Sequence, residues 1–414
     1  MQFSSQVLSS IVFIISMYYL CISFFGLYRK KEPLSIEPEK SFALIVAAHN
    51  EEKVIQDIIH SLNRMDYPKE LYDIFVVADN CTDKTASKTK AAGAIVYERF
   101  NKTKRGKGFA LEWMFDKIFK LDRKYDAVVI FDADNLASRN FLREMNNKLC
   151  EGFKVVQGYL DSKNPYDTWI TGSYSIAFWT SNRMFQLSRR NLGLSNQLGG
   201  TGFCIDTETL RELGWGATCL TEDLEFTCKL VLNGHKVGWA HDAVVYDEKP
   251  LTLAQSWWQR KRWMQGFADV TSRYFFKLII KGIKELNFTA IDCALYSIQP
   301  MIILVLGIAT VLDYFSKISN LSDIINNLGN QSNINMIGVI LLIVSVLQFI
   351  YTPIVLWLDK KLDFKVFVYY LIFPIYTITW LPIAIVGIID KNKKEWSHTV
   401  HTRSINITEL EKVN

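Results

Sequence analysis

The sequence predicts an α/β domain, with a mostly parallel sheet and helices on both of its faces, joined to an α-helical transmembrane region. Between residues 41 and 250, short apolar runs alternate with stretches of helical apolar spacing, the pattern of strand–helix repeats in a parallel sheet. Hydrophobic residues form 49% of the 414-residue chain and concentrate at its two ends, which is typical of membrane segments around a water-facing middle.

The N-terminal segment, residues 1–32, is predicted to be a transmembrane anchor. Residues 7–28 are almost wholly apolar and match the length of one bilayer crossing. Arg29, Lys30 and Lys31 follow directly, and basic residues beside a span favour the cytoplasmic side. We therefore expect the middle of the chain to be cytosolic.

The middle of the chain, residues 41–250, supplies the predicted sheet and its helices. Strands are expected at residues 42–46, 74–78, 95–97 and 128–131. Helices are expected where apolar residues recur every three or four positions, at residues 54–62, 85–92 and 107–119. This alternation predicts mainly parallel strand pairing.

Aromatic and basic residues intermingle in residues 251–285, a composition typical of amphipathic helices that lie in the membrane interface. Residues 286–390 are predicted to form transmembrane helices, with spans at 290–312 and 337–358 joined by a polar outside loop. Residues 391–414 are expected to form a cytosolic tail.

The last apolar stretch, residues 366–389, poses a separate problem. It contains Pro374 and Pro382, and basic residues flank both of its ends. A single straight crossing conflicts with that charge distribution, and prolines break helices. We expect a re-entrant pair of short helices here.

Charge and cysteine content limit the classes of function. The net charge of +5 is mild, and no basic stripe or nucleic-acid motif is present, so nucleic acid is not an expected partner. The seven cysteines include no Cys-x-x-Cys pair, which argues against structural zinc and against a disulfide framework.

Asp132 and Asp134 follow the strand at residues 128–131, where ligands bind in open α/β sheets. Two carboxylates this close repel each other unless a cation or hydrogen-bond donors intervene. A hard divalent ion completed by substrate phosphates is the natural partner. An ordinary Asp/Asn turn explains the same residues, and both interpretations stay open.

Two further polar groups stand where predicted strands end. Asn50 and Glu51 follow the first strand, and Asp79 follows the second. Polar side chains and free backbone amides at such junctions hold nucleotides. The same residue types are also common at helix N-termini for structural reasons.

Two glycine-rich stretches also allow either a ligand-binding or a purely structural role. Lys107 lies between two glycines just before a helix, which suits the approach of a backbone to phosphate but also suits a flexible surface turn. Thr201 and Gly202 belong to a run of small residues, which predicts either a wall for a sugar ring or a tight turn.

The remaining candidate residues are a pair of acids and three residues of one predicted helix. Glu222 and Asp223 precede an apolar-periodic helix, so one of them is a candidate general base or both simply favour a helix N-terminus. Gln259 and Trp263 share a helix face, and Arg262 has the guanidinium fork that fits a diphosphate. An interfacial anchor helix would carry the same residues.

The order of these motifs between residues 49 and 263 resembles the membrane-embedded family-2 glycosyltransferases of the Gln-x-x-Arg-Trp type. Cellulose, hyaluronan, chitin and poly-N-acetylglucosamine synthases belong to this group, and ceramide glucosyltransferases are similar to it. The resemblance implies a GT-A-type fold for residues 41–250 and a multi-pass location in the cell membrane with a cytosolic catalytic domain.

The resemblance also implies roles on the donor side of the site. Asn50 and Glu51 would lie beside the ribose of the nucleotide and Asp79 beside its uracil. Lys107 would approach the phosphates. Asp132 would support the nucleotide, and Asp134 would bind Mg²⁺ or Mn²⁺, with Asp132 beside the metal.

On the acceptor side, the resemblance implies that Asp223 is the catalytic base, with Glu222 beside it. Gln259, Arg262 and Trp263 would close on the diphosphate and the acceptor sugar. The segment 396–399, with Thr402 and Arg403, is similar to a C-terminal gating segment of such synthases.

The expected activity is an inverting, metal-dependent transfer from a UDP-sugar to a growing polysaccharide, with a β-linkage. Two alternatives stay open: glycosylation of a membrane lipid, and an inactive sugar-binding subunit of a secretion complex. The expected partners are the UDP-sugar, a glycan or glycolipid acceptor and the lipid bilayer, with a homo-oligomer or a secretion partner as further options.

Overall fold

The computed structural model describes residues 2–30, 36–216, 219–305, 307–308, 349–393 and 401–411. An eight-stranded sheet lies at its centre, with the spatial order β3-β2-β1-β4-β7-β6-β8-β5. In chain order the strands are β1 (Phe42–Ala48), β2 (Tyr72–Asp79), β3 (Ile95–Arg99), β4 (Ala127–Asp132), β5 (Leu136–Ala137), β6 (Val155–Ser162), β7 (Phe203–Asp206) and β8 (Val237–Asp247).

Helices cover both faces of this sheet, as predicted: α2 and α5 pack on one face, and α4, α8 and α9 pack on the other. A π-helix at Asn182–Leu187 follows α6. The helices are α1 (Gln2–Phe24), α2 (Ile55–Asn63), α3 (Thr85–Ala91), α4 (Lys107–Ile118), α5 (Phe141–Cys150), α6 (Trp169–Ser181), α7 (Ser188–Asn191), α8 (Thr207–Leu213), α9 (Glu222–Leu232), α10 (Leu253–Lys284), α11 (Phe288–Ser297), α12 (Gln299–Val305), α13 (Phe349–Leu358), α14 (Phe364–Ile378), α15 (Trp380–Ile389) and α16 (Ile407–Glu411).

The sheet is mixed rather than mostly parallel. Strands β1 to β4 pair in parallel, and so do β6 and β8. Strand β7 runs antiparallel to both β4 and β6, and β5 runs antiparallel to β8. The prediction is wrong for these two strands because the strand–helix alternation stops at β4. The chain reaches β7 only after a long excursion through α6, the π-helix and α7.

Apolar residues on both faces of β1 explain why its sequence is a continuous hydrophobic run. Phe42, Leu44 and Val46 are buried in the core cluster on one face, and Ala43 and Ile45 in the cluster on the other. Strands covered on both faces need this composition. Full burial of each large aliphatic side chain contributes about 1.5–3 kcal/mol, so the sheet is a rigid base for the loops at its edge.

The predicted transmembrane region is supported only in part. Among the described residues, one helix, Phe364–Ile389, is long and apolar enough to cross a membrane. A second candidate exists if α11 and α12, which are bent by 60° at their junction, count as one span. Helix α13 and the part of α1 at Phe13–Phe24 are apolar but shorter. The predicted outside loop and most of the span at 337–358 lie outside the described residues.

The stretch predicted to be a re-entrant pair is a nearly continuous helix formed by α14 and α15, with Pro374 inside α14. Both of its ends contact residues near the sheet. The Nζ of Lys365 donates to the carbonyl oxygen of Tyr166 at 2.8 Å, and Asp390 forms an ion pair with Lys261 of α10. The helix therefore lies along α6 and α10. Its outward side is apolar and exposed at Phe364, Leu371, Ile375, Ile378 and Ile389.

Candidate active site

A cavity of about 650 Å³ lies where β1, β2 and β4 end, between these strands and helices α9, α10 and α15. It brings together residues that are far apart in the chain. Of the predicted site residues, those that line it are Glu51, Asp79, Lys107, Asp132, Asp134, Thr201, Glu222, Asp223, Gln259, Arg262 and Trp263. Asn50 and Gly202 do not line it.

Asn50 instead holds the loop that follows β1. Its φ is 55°, a left-handed conformation that Asn tolerates better than most residues. Its side-chain oxygen accepts a hydrogen bond from the backbone nitrogen of Thr82 at 2.8 Å. Asp79, which ends β2, is buried and forms an ion pair with Arg99. The loops after β1 and β2 are thus fixed to each other.

Lys107 connects three parts of the cavity wall. Its ammonium group forms an ion pair with Asp132 and donates to the carbonyl oxygen of Gly200 at 2.7 Å. The backbone nitrogen of Asp132 donates to the hydroxyl of Thr201 at 3.0 Å. A positive charge is therefore held at the end of β4, where a phosphate would lie.

Gly202 has a packing role. Its φ is 63°, and a Cβ atom there would lie 2.8 Å from the Cγ2 of Val245. Any other residue would crowd the side chain of Val245 and adopt a backbone conformation that favours glycine, so Gly202 is needed for packing whether or not it also contacts a ligand.

Asp134 is buried and is fixed by neighbours that favour its ionised form. Its Oδ2 accepts from the backbone nitrogen of Glu248 at 2.8 Å, and Lys163 donates to its carbonyl oxygen at 2.7 Å. Burial would raise the pKa of this carboxyl, but the positive charges of His401 and Lys163 outweigh it and hold the pKa below its usual value.

A C-terminal segment, residues 401–411, closes one side of the cavity. The Nδ1 of His401 lies 2.9 Å from the Oε1 of Glu51. The carboxylate of Glu248 accepts from the backbone nitrogens of Thr402 and Arg403 at 3.1–3.2 Å. Burial would lower the pKa of His401, but Asp134, Glu51 and Glu248 raise it to about 10. His401 is therefore a cation among three acids.

The sequence-based prediction missed His401 and Glu248. Glu248 directly follows β8, so the strand-end rule that selected Asp132 and Asp134 could also have selected it. His401 offered no comparable local pattern, because only the fold brings it back to β1. The predicted gating segment at 396–399 lies outside the described residues.

A divalent cation fits the donor set at the end of β4. Within the described ranges, no group of three or more His, Cys, Asp or Glu side chains could hold a metal by itself. Asp132 and Asp134 nevertheless line the same cavity. Mg²⁺ and similar ions are commonly held by one or two carboxylates, with phosphate oxygens and water completing the shell.

Glu222 and Asp223 begin α9 and face the cavity. Burial, followed by the charge of Asp223, raises the pKa of Glu222 to about 7. Burial also raises the pKa of Asp223, although the backbone nitrogen of Leu224, which donates to its Oδ1 at 2.8 Å, opposes this. A carboxyl with a raised pKa is a better proton acceptor than an exposed one.

Helix α10 carries Gln259, Arg262 and Trp263 to the cavity. The Oε1 of Gln259 and the Nε of Arg262 are buried without a hydrogen-bond partner among the described residues. Such atoms carry a desolvation cost unless a ligand satisfies them. One turn further on, a Cβ atom at Gly266 would lie 2.4 Å from the side chain of Thr221, so α10 meets the start of α9 at backbone distance.

The half-parallel sheet, with acids beyond its strand ends and a basic helix over them, defines a GT-A-like α/β fold of the kind that binds nucleotide sugars. The family model described as glycosyltransferase-like family 2 matches residues 38–266. That is more than half of the chain, which therefore belongs to this family. The predicted class of enzyme, a family-2 glycosyltransferase, is confirmed.

Curated relatives include both glycolipid and polysaccharide synthases. The chain is 28% identical over 246 residues to the beta-monoglucosyldiacylglycerol synthase of Synechocystis sp., covering 56% of this chain and 49% of the relative. It is 25% identical over 255 residues to a poly-beta-1,6-N-acetyl-D-glucosamine synthase of Staphylococcus aureus, covering 60% of each. The matches thus span about half to three fifths of these relatives.

Among solved structures, a mannosyltransferase from Pyrobaculum calidifontis, determined with GDP-mannose and Mn²⁺, is similar over 94% of this chain and 99% of its own. The TM-score is 0.59 and the sequence identity is 17%. At this identity the likeness shows the fold, and it extends beyond the sheet to the C-terminal helices.

Proposed function

We propose that this protein is an inverting, metal-dependent glycosyltransferase that uses a UDP-sugar. One observation carries the proposal: the acid pair Asp132 and Asp134, the acid pair Glu222 and Asp223, and Arg262 line a single cavity. The first pair suits a divalent ion with a diphosphate, and the second suits a proton acceptor. Sugar transfer requires both functions at one place.

Asp223 is the proposed general base. It would accept the proton of the acceptor hydroxyl as that oxygen attacks the anomeric carbon of the donor sugar. The bond between this carbon and the diphosphate breaks in the same displacement. A single displacement inverts the configuration, so an α-linked donor gives a β-linked product.

Positive charge stabilises the departing diphosphate, where negative charge develops most. Lys107 and Arg262 would supply this charge from two sides of the cavity. Asp134 and Asp132 would hold Mg²⁺ or Mn²⁺, which supplies Lewis-acid neutralisation of the phosphate oxygens when bound. Asp79 and Glu51 would contact the nucleoside, with Asn50 fixing the loop between them.

We propose a growing polysaccharide as the acceptor. The acceptor half of the cavity includes the aromatic side chains of Trp263, Phe185 and Tyr296, whose ring faces suit the C–H surface of a sugar. The similarity to the poly-N-acetylglucosamine synthase supports the same class. The Gln-x-x-Arg-Trp arrangement of α10 would then contact the terminal sugar.

A lipid acceptor is the second candidate, because one observation favours it. Trp380 lines the cavity and belongs to the apolar helix Phe364–Ile389, whose outward side is exposed. A lipid headgroup could therefore reach the cavity from a membrane surface. The similarity to glucosyldiacylglycerol synthases supports this alternative. The third hypothesis, an inactive sugar-binding subunit, predicts no turnover at all.

We place the protein at the cell membrane, with the catalytic domain in the cytosol and more than one membrane-associated segment. The exposed apolar residues of α14 and α15, together with Phe276, Ile280 and Ile283 of α10, support this location. Exposed apolar surface of this extent marks a membrane or protein contact.

The decisive experiment is to incubate the full chain, purified in detergent, with radiolabelled UDP-glucose, UDP-galactose and UDP-N-acetylglucosamine, with GDP-mannose as a nucleotide control. A polymer sensitive to glycosidases supports the polysaccharide. A small lipase-sensitive product supports the lipid acceptor. If none of the donors is consumed while the folded Asp223→Asn control behaves identically, the enzyme proposal is wrong.

A further inference from the structure

Several side-chain amides line the candidate cavity, and Gln197 is distinct among them. It is 2% exposed, and both its Oε1 and its Nε2 lack a hydrogen-bond partner among the described residues. Buried amide groups in native proteins are normally hydrogen-bonded. A side chain that leaves both ends unsatisfied beside a cavity is poised for a ligand that has both a donor and an acceptor.

The position of Gln197 is fixed by its backbone. Gln186 donates from its Nε2 to the carbonyl oxygen of Gln197 at 2.8 Å and accepts from its backbone nitrogen at 3.1 Å. Gln186 itself is on the π-helix, an element that often occurs at functional sites. Asn196 also donates to the Oε1 of Gln186 at 3.0 Å. The internal hydrogen bonds therefore engage both the Nε2 and the Oε1 of Gln186 and leave the amide of Gln197 available.

The segment that follows Gln197 lies against the proposed base. The backbone nitrogen of Leu198 donates to the hydroxyl of Thr227 at 3.2 Å, and this hydroxyl donates to the carbonyl oxygen of Asp223 at 2.9 Å. A Cβ atom at Gly200 would lie 3.4 Å from the Oδ2 of Asp223. Gln197 therefore begins the segment that runs past the proposed base.

The nearby walls suit a sugar ring. The rings of Phe185 and Tyr296 lie 4.8 Å apart, and both line the same cavity as Gln197. Aromatic faces contact the C–H surface of a sugar, while an amide can donate to one hydroxyl and accept from its neighbour. A hydrocarbon chain could use the rings but could not satisfy the amide.

We propose that Gln197 is a specificity-determining residue that binds two adjacent hydroxyl groups of a hexose. Its Nε2 donates to one hydroxyl and its Oε1 accepts from the next. This inference rests on the proposed function and extends it by assigning a sugar contact to a residue outside the recognised motifs. The hexose is either the sugar being transferred or the terminal sugar of the acceptor, and both present the same pair of hydroxyls.

The test compares Gln197→Met with Gln186→Met in the full detergent-purified chain, because both changes replace an amide with an apolar side chain of similar length. Gln197→Met removes a buried amide that has no internal partner, so its Tm should equal or exceed that of the unchanged protein. Gln186→Met breaks hydrogen bonds to residues 196 and 197, so its Tm should fall. UDP affinity should be unchanged in Gln197→Met.

The catalytic readout is kcat/KM with UDP-glucose and UDP-galactose, which differ in one hydroxyl configuration. We expect Gln197→Met to lose about ten-fold or more with the preferred donor, the effect of one or two hydrogen bonds. A contact with the donor sugar also predicts weaker discrimination between the two donors, whereas a contact with the acceptor sugar predicts unchanged discrimination. A loss in donor hydrolysis without acceptor assigns the contact to the donor sugar. A loss only in transfer assigns it to the acceptor sugar.

Two results would overturn the assignment. One is wild-type kcat/KM and donor preference in Gln197→Met. The other is a fall in its Tm equal to that of Gln186→Met, together with weaker UDP binding, because that combination indicates a structural role. If the unchanged protein consumes no nucleotide sugar, the proposed function fails first, and this result is distinct because it precedes any comparison of variants.

Discussion

At the scale of single residues, the acids of the cavity differ in pKa because their surroundings differ. Asp134 lies near His401 and Lys163, which hold its pKa low. Burial raises the pKa of Glu222 and of Asp223. Carboxyls whose pKa values are pushed apart in one site are suited to different tasks. We therefore assign ion binding to Asp134 and proton transfer to Asp223.

Asp223→Asn should lower kcat by about 10²–10⁴-fold, the usual effect of losing a general base. The amide preserves size and can still accept from the backbone nitrogen of Leu224, so the Tm should change little. UDP binding should be unaffected because the proposed contact of Asp223 is with the acceptor. Turnover, UDP affinity and a melting curve on the same sample test this. A folded variant with near wild-type turnover would exclude Asp223 as the base.

The rate should fall on acidification. The pH at which it falls should be higher than for an enzyme whose carboxylate base has an ordinary pKa. Burial raises the pKa of Glu222 to about 7 and raises that of Asp223, and a protonated carboxyl cannot accept the acceptor's proton. We expect kcat/KM to decline on acidification at a pH above the usual range of an aspartate, because burial raises the pKa of Asp223, and to recover when the pH is raised again. Full activity down to pH 5 would contradict a base in this environment.

Asp134→Asn should abolish turnover, because the proposed divalent ion loses a ligand. Excess EDTA should have the same effect on the unchanged protein, and added Mn²⁺ or Mg²⁺ should restore activity to that protein but not to the variant. Turnover with and without added metal is the measurement. Undiminished activity in EDTA would rule out the proposed role of the metal.

Much of this site could be predicted from local patterns, because strand ends and helix starts have recognisable sequences. Asp132, Asp134, Glu222 and Asp223 were found in this way. His401 could not be, since its place beside Glu51 depends on long-range folding. Gln197 could not be predicted either, because it belongs to no recognisable motif. Only the lack of a hydrogen-bond partner for its amide among the described residues distinguishes it.

At the scale of elements, the C-terminal segment 401–411 is attached by polar contacts at its start and by a small apolar cluster further on. Ile407 of α16 is buried against Leu136 and Tyr246, and backbone hydrogen bonds join the segment to Glu248. So short a helix has little stability of its own. Ile407 is the fully buried apolar residue of this attachment, and the contact of His401 with Glu51 would couple the docking of the segment to the proposed donor end of the cavity.

Ile407→Ala should undock this segment. Truncation of a buried Ile to Ala costs about 2–5 kcal/mol. We expect this loss to exceed the free energy that holds so small an element in its docked position. We expect a several-fold higher KM for the donor, faster hydrogen exchange in residues 401–411 and little change in the Tm of the sheet domain. Ile407→Val is the matched control and should keep a near-normal KM. Faster exchange with an unchanged KM would show that docking and donor binding are independent.

The elements of the first half of the fold were predictable because each strand and helix there is encoded by its own periodicity. The helices fall close to their predicted bounds, and β1 to β4 pair as expected. Strand direction in the second half was not predictable: β7 has four residues, and its pairing is decided by the excursion before it. The two prolines also led to a wrong prediction for residues 366–389, which form a continuous helix instead of a broken pair.

At the scale of the whole molecule, exposed apolar side chains lie on several of the described helices. They include the outward side of α14 and α15, the end of α10, α13 and the second half of α1. Both ends of the helix Phe364–Ile389 bind to the body that carries the cavity, through Lys365 and Asp390. We therefore expect both ends of this helix to lie on the same side of the membrane as the cavity.

Cysteine labelling can decide this arrangement. Single cysteines at positions 365 and 391, in a background without other reactive thiols, should both react with a membrane-impermeant reagent added to inside-out vesicles, and neither should react in right-side-out vesicles. Position 30 is the control for the catalytic-domain side. Labelling of 365 and 391 from opposite sides would establish a transmembrane crossing. The predicted outside loop near residue 326 lies outside the described residues.

The contact between Gly266 and Thr221 bears on how inactive members of such a family are recognised. A Cβ atom at Gly266 would lie 2.4 Å from the side chain of Thr221, so alanine at this position requires a shift between α10 and the start of α9. We expect Gly266→Ala to keep every charged residue of the site and still displace Arg262 relative to Asp223, the proposed base. A family member that retains the complete set of acids can thus be inactive, and a single added methyl group would be the cause.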